Sequence, residues 1–324
     1  MDYFDFNMNF PAEAEGPDAT QFGFTGGEPT QRTPVGTPME RPNADRAVTV
    51  DVSTTFQPNV LVDNLSPDLV LISSDQVYFY AHSHRILSAS CNTFNGLLTP
   101  TPPPDDGSTQ TVSVPEPAEV LNVVVHALYS LPVAQFMPPL DTVTAAFDSL
   151  ITYGVPLQTL VLPGSPLYVL VLSQAPLRPI DAYALAAHHD LLALAIPISA
   201  HLLSYTLSSL TDELAARIGP IYLKRLFFLH HGRMEALKRL LLHPPQAHEP
   251  TRECNATQQQ RLTRAWALAS AHLAWDARPN ISTNMLQAPL LHLERELSCP
   301  LCKGALRDRV SVLVREWASV KVTI

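Results

Sequence analysis

Four cysteines occur in the chain, and two of them form a C-x-x-C: Cys299-Pro300-Leu301-Cys302. That spacing can put two thiolates on one cation, as tetrahedral zinc requires, but a complete site takes four ligands. Only Cys254 remains in the same half, and His248, His272 or His292 would have to supply the fourth. A single C-x-x-C without a second paired motif reads instead as two small side chains at a helix start, capped by Ser298. Cys254, Cys299 and Cys302 are therefore assigned to packing, with no bound metal and zinc as the alternative. A redox role lacks a thioredoxin-like βαβ context. His188-His189-Asp190 and His230-His231 also carry ligand-type side chains. Adjacent helical residues point ~100° apart, so these pairs read as helix-end or half-buried histidines.

The remaining chemistry is sparse. There is no G-x-S-x-G elbow, P-loop, G-x-G-x-x-G or H-E-x-x-H. Lysine is confined to Lys224, Lys238, Lys303 and Lys321, so the front half has none to hold a phosphate. No catalytic residue and no cofactor is expected, and the chain reads as a non-enzyme. Net charge is -9, unevenly distributed. Arg85 is the one base between residues 61 and 175, whereas bases outnumber acids after residue 176. The acidic front argues against nucleic acid as a direct ligand.

These residues sit on a recognisable run of elements. Leu69–Ile72 and Val77–Ala81 are β-rich runs around the polar turn Ser73-Ser74-Asp75-Gln76, a hairpin signature. Ile86, Leu87, Phe94, Leu97 and Leu98 then fall at helical spacing, and Asn92 is placed to cap a second short helix. A strand at Thr111–Val114 follows. Next comes a helix from about Pro117 to Tyr129, with Val120, Val124, Ala127 and Leu128 as its buried face. Two helical hairpin segments follow, Asp141–Leu162 and Ile180–Leu203. Val48, Val50 and Val52 alternate with polar residues and suggest one leading strand.

The unit around Asp68, Phe79-Tyr80-Ala81-His82, Leu87 and Phe94 resembles the BTB (POZ) domain. His82 and His84 compete for the family's structural histidine. The layout as a whole resembles a BTB group frequent in mushroom-forming fungi, through Trp317, Val320-Lys321 and Ile324 near the end. The resemblance implies an α+β fold: a small three-stranded sheet with helices over 60–162, its closing hairpin extending to 203 in the alternative. An all-helical domain over 163–324 follows. It also implies a leading strand that crosses to a partner subunit and a homodimer whose face draws on Ile86, Leu87 and Phe94.

Residues 1–59 are rich in Pro, Gly, Thr and acids and read as a disordered tail; the proline run after Leu98 reads as a solvated loop. In the back half, Pro220–Leu242 is expected to break at Gly232. His243–Pro250 is a linker, and Thr257–Trp275, Ser282–Leu297 and Pro300–Val320 are helices. The N-terminus lacks the basic and apolar regions of a secretory signal, and no stretch is long enough to span a bilayer. The expected compartment is intracellular, cytoplasm or nucleus, with no membrane partner. The expected role is a protein–protein interaction and dimerisation scaffold. One alternative is a substrate adaptor of a cullin-type ubiquitin ligase, although Leu121-Asn122-Val123 lacks the adaptor's Glu. The other is a zinc-stabilised transcription regulator.

Overall fold

The structure, a computed structural model, describes residues 36–39, 50–99 and 109–324. The tail and proline-loop expectations fall mainly on 1–35, 40–49 and 100–108, outside the described residues.

The fold is mixed α+β. Among the described residues its sheet has five strands, β1 Gly36–Met39, β2 Val50–Ser53, β3 Leu69–Ile72, β4 Val77–Ala81 and β5 Gln110–Ser113, in the order β1-β2-β4-β3-β5. The expected three strands form its β4-β3-β5 portion. β3 and β4 are the antiparallel hairpin, and β5 runs parallel to β3. Along β4, Val77, Phe79 and Ala81 are buried while Tyr78 and Tyr80 are half-buried, the period of two expected for a strand with one core face. The sheet is larger than expected because β2 pairs parallel with β4 of its own chain and β1 adds antiparallel to β2. The leading strand is thus engaged within the chain that carries it.

The helices are α1 Ser83–Ala89, α2 Ala118–Leu128, α3 Leu140–Thr152, α4 Leu157–Leu160, α5 Pro166–Gln174, α6 Pro179–His188 and α7 Leu192–Ser199. They continue as α8 Asp212–Leu241, α9 Ala256–Trp275, α10 Thr283–His292 and α11 Pro300–Ser319. None among the described residues is long and apolar enough to cross a membrane.

Two starts depend on carboxylates from the hairpin. Asp68 Oδ1 accepts from Ser83 N at 2.7 Å at the head of α1, and Asp75 Oδ1 accepts from Ala118 N at 2.9 Å at the head of α2. Each satisfies one of the N–H groups that a helix leaves unpaired at its start.

Three expectations change. No second helix follows Asn92. Thr93, Phe94, Asn95 and Gly96 take φ of 54°, 53°, 57° and 73°, a left-handed turn. Asn92 still acts as a local cap, its Oδ1 accepting from Asn95 N at 2.7 Å. The turn drives Phe94 inward to stack on Tyr153 at 3.8 Å between centroids. That packing offsets the left-handed cost of ~1–2 kcal/mol per residue. Gly154 is required beside it: its φ is +71°, and a Cβ there would lie 2.4 Å from Asn92 Oδ1. The break in α8 falls at Gly219 (φ 74°, ψ 163°), not Gly232. Pro220 follows, and its missing N–H suits the restart of a helix. Lastly, the front core extends past both candidate boundaries. It runs from Phe56 through α6 and α7 to Leu226, with Ile180–Leu203 inside it. The second core begins only at Leu237 and ends at Trp317.

Candidate metal centre and the helix corner at His82

Two separate segments, the α8–α9 connector and the head of α11, bring the back-half cysteines together. Cys299 precedes Pro300 at the head of α11, and Cys302 lies in its first turn, so both thiols emerge at the helix start. Cys254 immediately precedes the capping box of Asn255 and Gln258 that starts α9. Its own turn is closed by Cys254 N donating to Thr251 Oγ1 at 3.0 Å. The fourth residue is His248, from the linker between α8 and α9. The imidazole nitrogen and the three sulfurs all lie within 4.8 Å of one another. His248 Nε2 is 3.4 Å from Cys299 Sγ and 3.4 Å from Cys302 Sγ, and Cys254 Sγ is 3.6 Å from Cys302 Sγ.

The imidazole is oriented from behind. Its Nδ1 lies 2.7 Å from the carbonyl of Glu249. A carbonyl only accepts, so Nδ1 carries the proton and Nε2 presents a lone pair to the thiols. Gln259, buried, donates to the carbonyl of His248 at 3.0 Å. The thiols are not equivalent. Backbone N–H groups of Cys302 and Leu301 draw the Cys299 thiol down to about 7. Burial pushes Cys302 up to about 12. Cys254 and Cys302 are buried, Cys299 and His248 half-buried.

The packing assignment rested on the want of a demonstrable fourth ligand, and of the three histidines open for that place it is His248 that stands beside the thiols. His272 and His292, the other candidates, are not in this cluster. The only sequence signal for His248 is its place six residues ahead of Cys254, which carries little weight by itself.

His188 and His189 also approach one another, with Asp148, to within 4.8 Å, against the expectation that they diverge. The reason is that α6 ends at His188, and His189 has left helical geometry (ψ 13°). This is an open rim of three donors, with His188 and Asp148 exposed. His230 is spoken for: its Nε2 lies 2.9 Å from the carbonyl of Leu202.

In the front half, His82 rather than His84 takes the corner. It is buried, with Nδ1 at 2.9 Å from Tyr129 Oη and Nε2 at 3.1 Å from the carbonyl of Leu65. Its backbone N–H also donates to Tyr129 Oη at 2.7 Å. Burial raises the Tyr129 hydroxyl to about 12, so it stays a neutral donor and acceptor. Asp68 holds Ser83 through both its N–H and its hydroxyl. His84 is exposed near Asp63 at 3.6 Å. Phe79 is fully buried. Ile86 and Phe94 are too, each at 0% exposure, which removes them from any surface. Leu87 is half-buried against the same core. A dimer face built on Ile86 and Phe94 is therefore excluded in this fold, because the same side chains fill the core beneath the sheet.

Compared with protein-family models, curated proteins and solved structures, the chain matches none of them.

Proposed function

We propose that the chain is a protein–protein interaction and assembly scaffold of the BTB (POZ) type, with no chemistry of its own. The observation that carries the reading is the connection order of the front core. An antiparallel hairpin leads through a locked corner into α1. A third strand then runs parallel to the first, and the packed pair α2 and α3 follows. That is the order the resemblance implies, with Asp68, Phe79 and His82 in structural positions suited to it. Self-association must use side chains outside the core. The best surface is the apolar pair Leu61 and Leu65, at 61% and 52% exposure, in the loop tied to α1 by the Asp63–Arg85 ion pair at 2.8 Å.

Light scattering on the full chain tests this. A dimer mass at micromolar concentration is expected, falling to monomer in Leu61→Asp/Leu65→Asp with unchanged circular dichroism. A monomer in the parent chain across that range overturns it. The cullin-adaptor alternative is weaker, because Leu121 and Val123 are fully buried and Asn122 nearly so, leaving that stretch of α2 no contact to offer.

One observation favours the regulator alternative. A groove of about 740 Å³ is lined by Lys224, Arg225, Arg239 and Lys321, with Ile221 and Phe228 among its apolar lining. Nucleic acid held there would bind with a strong salt dependence. Anisotropy titrations of labelled duplex DNA decide it: no binding at low salt removes the regulator reading.

A further inference from the structure

We propose that His248 Nε2 and the Sγ atoms of Cys254, Cys299 and Cys302 bind one zinc ion, in a closed structural site that locks the back core. The distances carry the argument. Tetrahedral zinc with Zn–S ~2.3 Å and Zn–N ~2.0–2.1 Å sets S···S edges of ~3.8 Å and S···N edges of ~3.5 Å. The edges here are 3.6 Å for Cys254–Cys302 and 3.4 Å for both His248 contacts. Packing alone gives no reason for four donor atoms from two distant segments to turn toward one point.

The second layer agrees. A metal-binding histidine usually donates its other ring N–H to a carbonyl or carboxylate, which fixes tautomer and orientation. His248 does this to Glu249. Three thiols and one imidazole favour zinc over harder cations such as magnesium or calcium. On binding, each thiol loses its proton and three Zn–S bonds form. Three thiolates and one Zn²⁺ leave a net charge of -1. That charge sits at the start of α11, where backbone N–H groups and the helix dipole favour an anion. All four positions are filled by the protein, so no site is open to a substrate and the ion has no catalytic role.

A disulfide between Cys254 and Cys302 is the competing use of these thiols. It would leave Cys299 and the oriented imidazole without a purpose, and it requires the two sulfurs to close from 3.6 Å to ~2.05 Å.

The position of the site sets what the metal does. It ties two points of the α8–α9 connector, His248 and Cys254, to the head of the last helix. These segments surround a core of modest size, drawn from residues 237–317. Small cores commonly need such a staple.

The test uses the full chain, purified under reducing conditions. Elemental analysis is expected to give one zinc per chain. Replacement by Co²⁺ is expected to give the intense visible bands of a tetrahedral ion with sulfur-to-cobalt charge transfer. Cys254→Ser and Cys302→Ser each weaken zinc retention by ~100-fold or more, since even supporting residues behind the ligands are worth 10–100-fold. His248→Cys keeps the metal and shifts the cobalt bands toward a four-thiolate spectrum, a readout that survives if the serine variants fail to fold. Folded, reduced chain without zinc, and with a melting temperature indifferent to added zinc, overturns the proposal. So does a Cys254–Cys302 disulfide found by mass spectrometry in the parent protein.

Discussion

Two helix starts in this molecule are anchored to distant segments, and they are anchored differently. The head of α1 is closed by Asp68, Ser83, His82, Tyr129 and the carbonyl of Leu65. Each donor in that corner meets an acceptor, so the protein completes it unaided. The head of α11 gathers Cys299, Cys302, Cys254 and His248, with their donor atoms within 4.8 Å of one another. Thiols are weak donors, and a cation satisfies these four atoms better than they satisfy one another. The difference follows core size. The front core runs from Phe56 to Leu226 with a sheet and helices to bury. The back core has only helices and long connectors, and it gains most from a cross-link.

The largest expected effect separates the halves outright. A strong chelator added to the reduced full chain should greatly lower the unfolding temperature of the back core while the front core melts as before. Differential scanning calorimetry should then show two transitions where the metal-loaded chain shows one or a closely spaced pair. Equal loss from both halves would break the comparison.

Next come the large side chains. Trp317 is buried, donates to the carbonyl of Ile281 at 2.9 Å, and lies under the Arg233 guanidinium at 4.2 Å. Arg233 in turn donates to the carbonyls of Pro279, Val320 and Lys321. Trp317→Ala should cost ~3–5 kcal/mol and unfold the back core at moderate urea. Phe94→Ala should cost a similar amount in the front core, without effect on metal content.

A pH effect should mark the front core. Burial, with His188 nearby, pushes His189 down to about 4. The folded value is below the ordinary 6.5, so between the two the unfolded chain binds more protons. The stabilisation is therefore complete above about 6.5 and is lost as pH falls toward 4. It amounts to at most roughly 3 kcal/mol. Urea midpoints measured from pH 7 to pH 4.5 should fall, and His189→Gln should flatten that slope. A slope unchanged by the substitution would place the acid sensitivity elsewhere.

The smallest effect sharpens the contrast between corners. Asp68→Ala removes a cap from α1 and should cost ~1–2 kcal/mol, read as a shift in the denaturation midpoint. Zinc content should not change.

The hairpin, the strand-to-helix corner and most helix ranges were legible in the sequence, which left the corner open between His82 and His84. Period-two patterning in Val77–Ala81 and turn chemistry at Ser73–Gln76 are local signals, written over a few residues. The left-handed turn at Thr93–Gly96 was not legible, since it exists only because Phe94 finds Tyr153, which lies nearly sixty residues away. Neither was the true end of the front core, because α8 runs unbroken through Gly232 and carries Tyr222 and Leu226 into the front core and Leu237 and Leu241 into the back core.

The sequence by itself determined the mixed fold, the strand-to-helix corner and the presence of a C-x-x-C. Tertiary structure alone decided that Ile86 and Phe94 are core rather than interface, and that His248 completes the cysteine set. Both outcomes depend on which surfaces meet across long stretches of chain, and no local spacing records that.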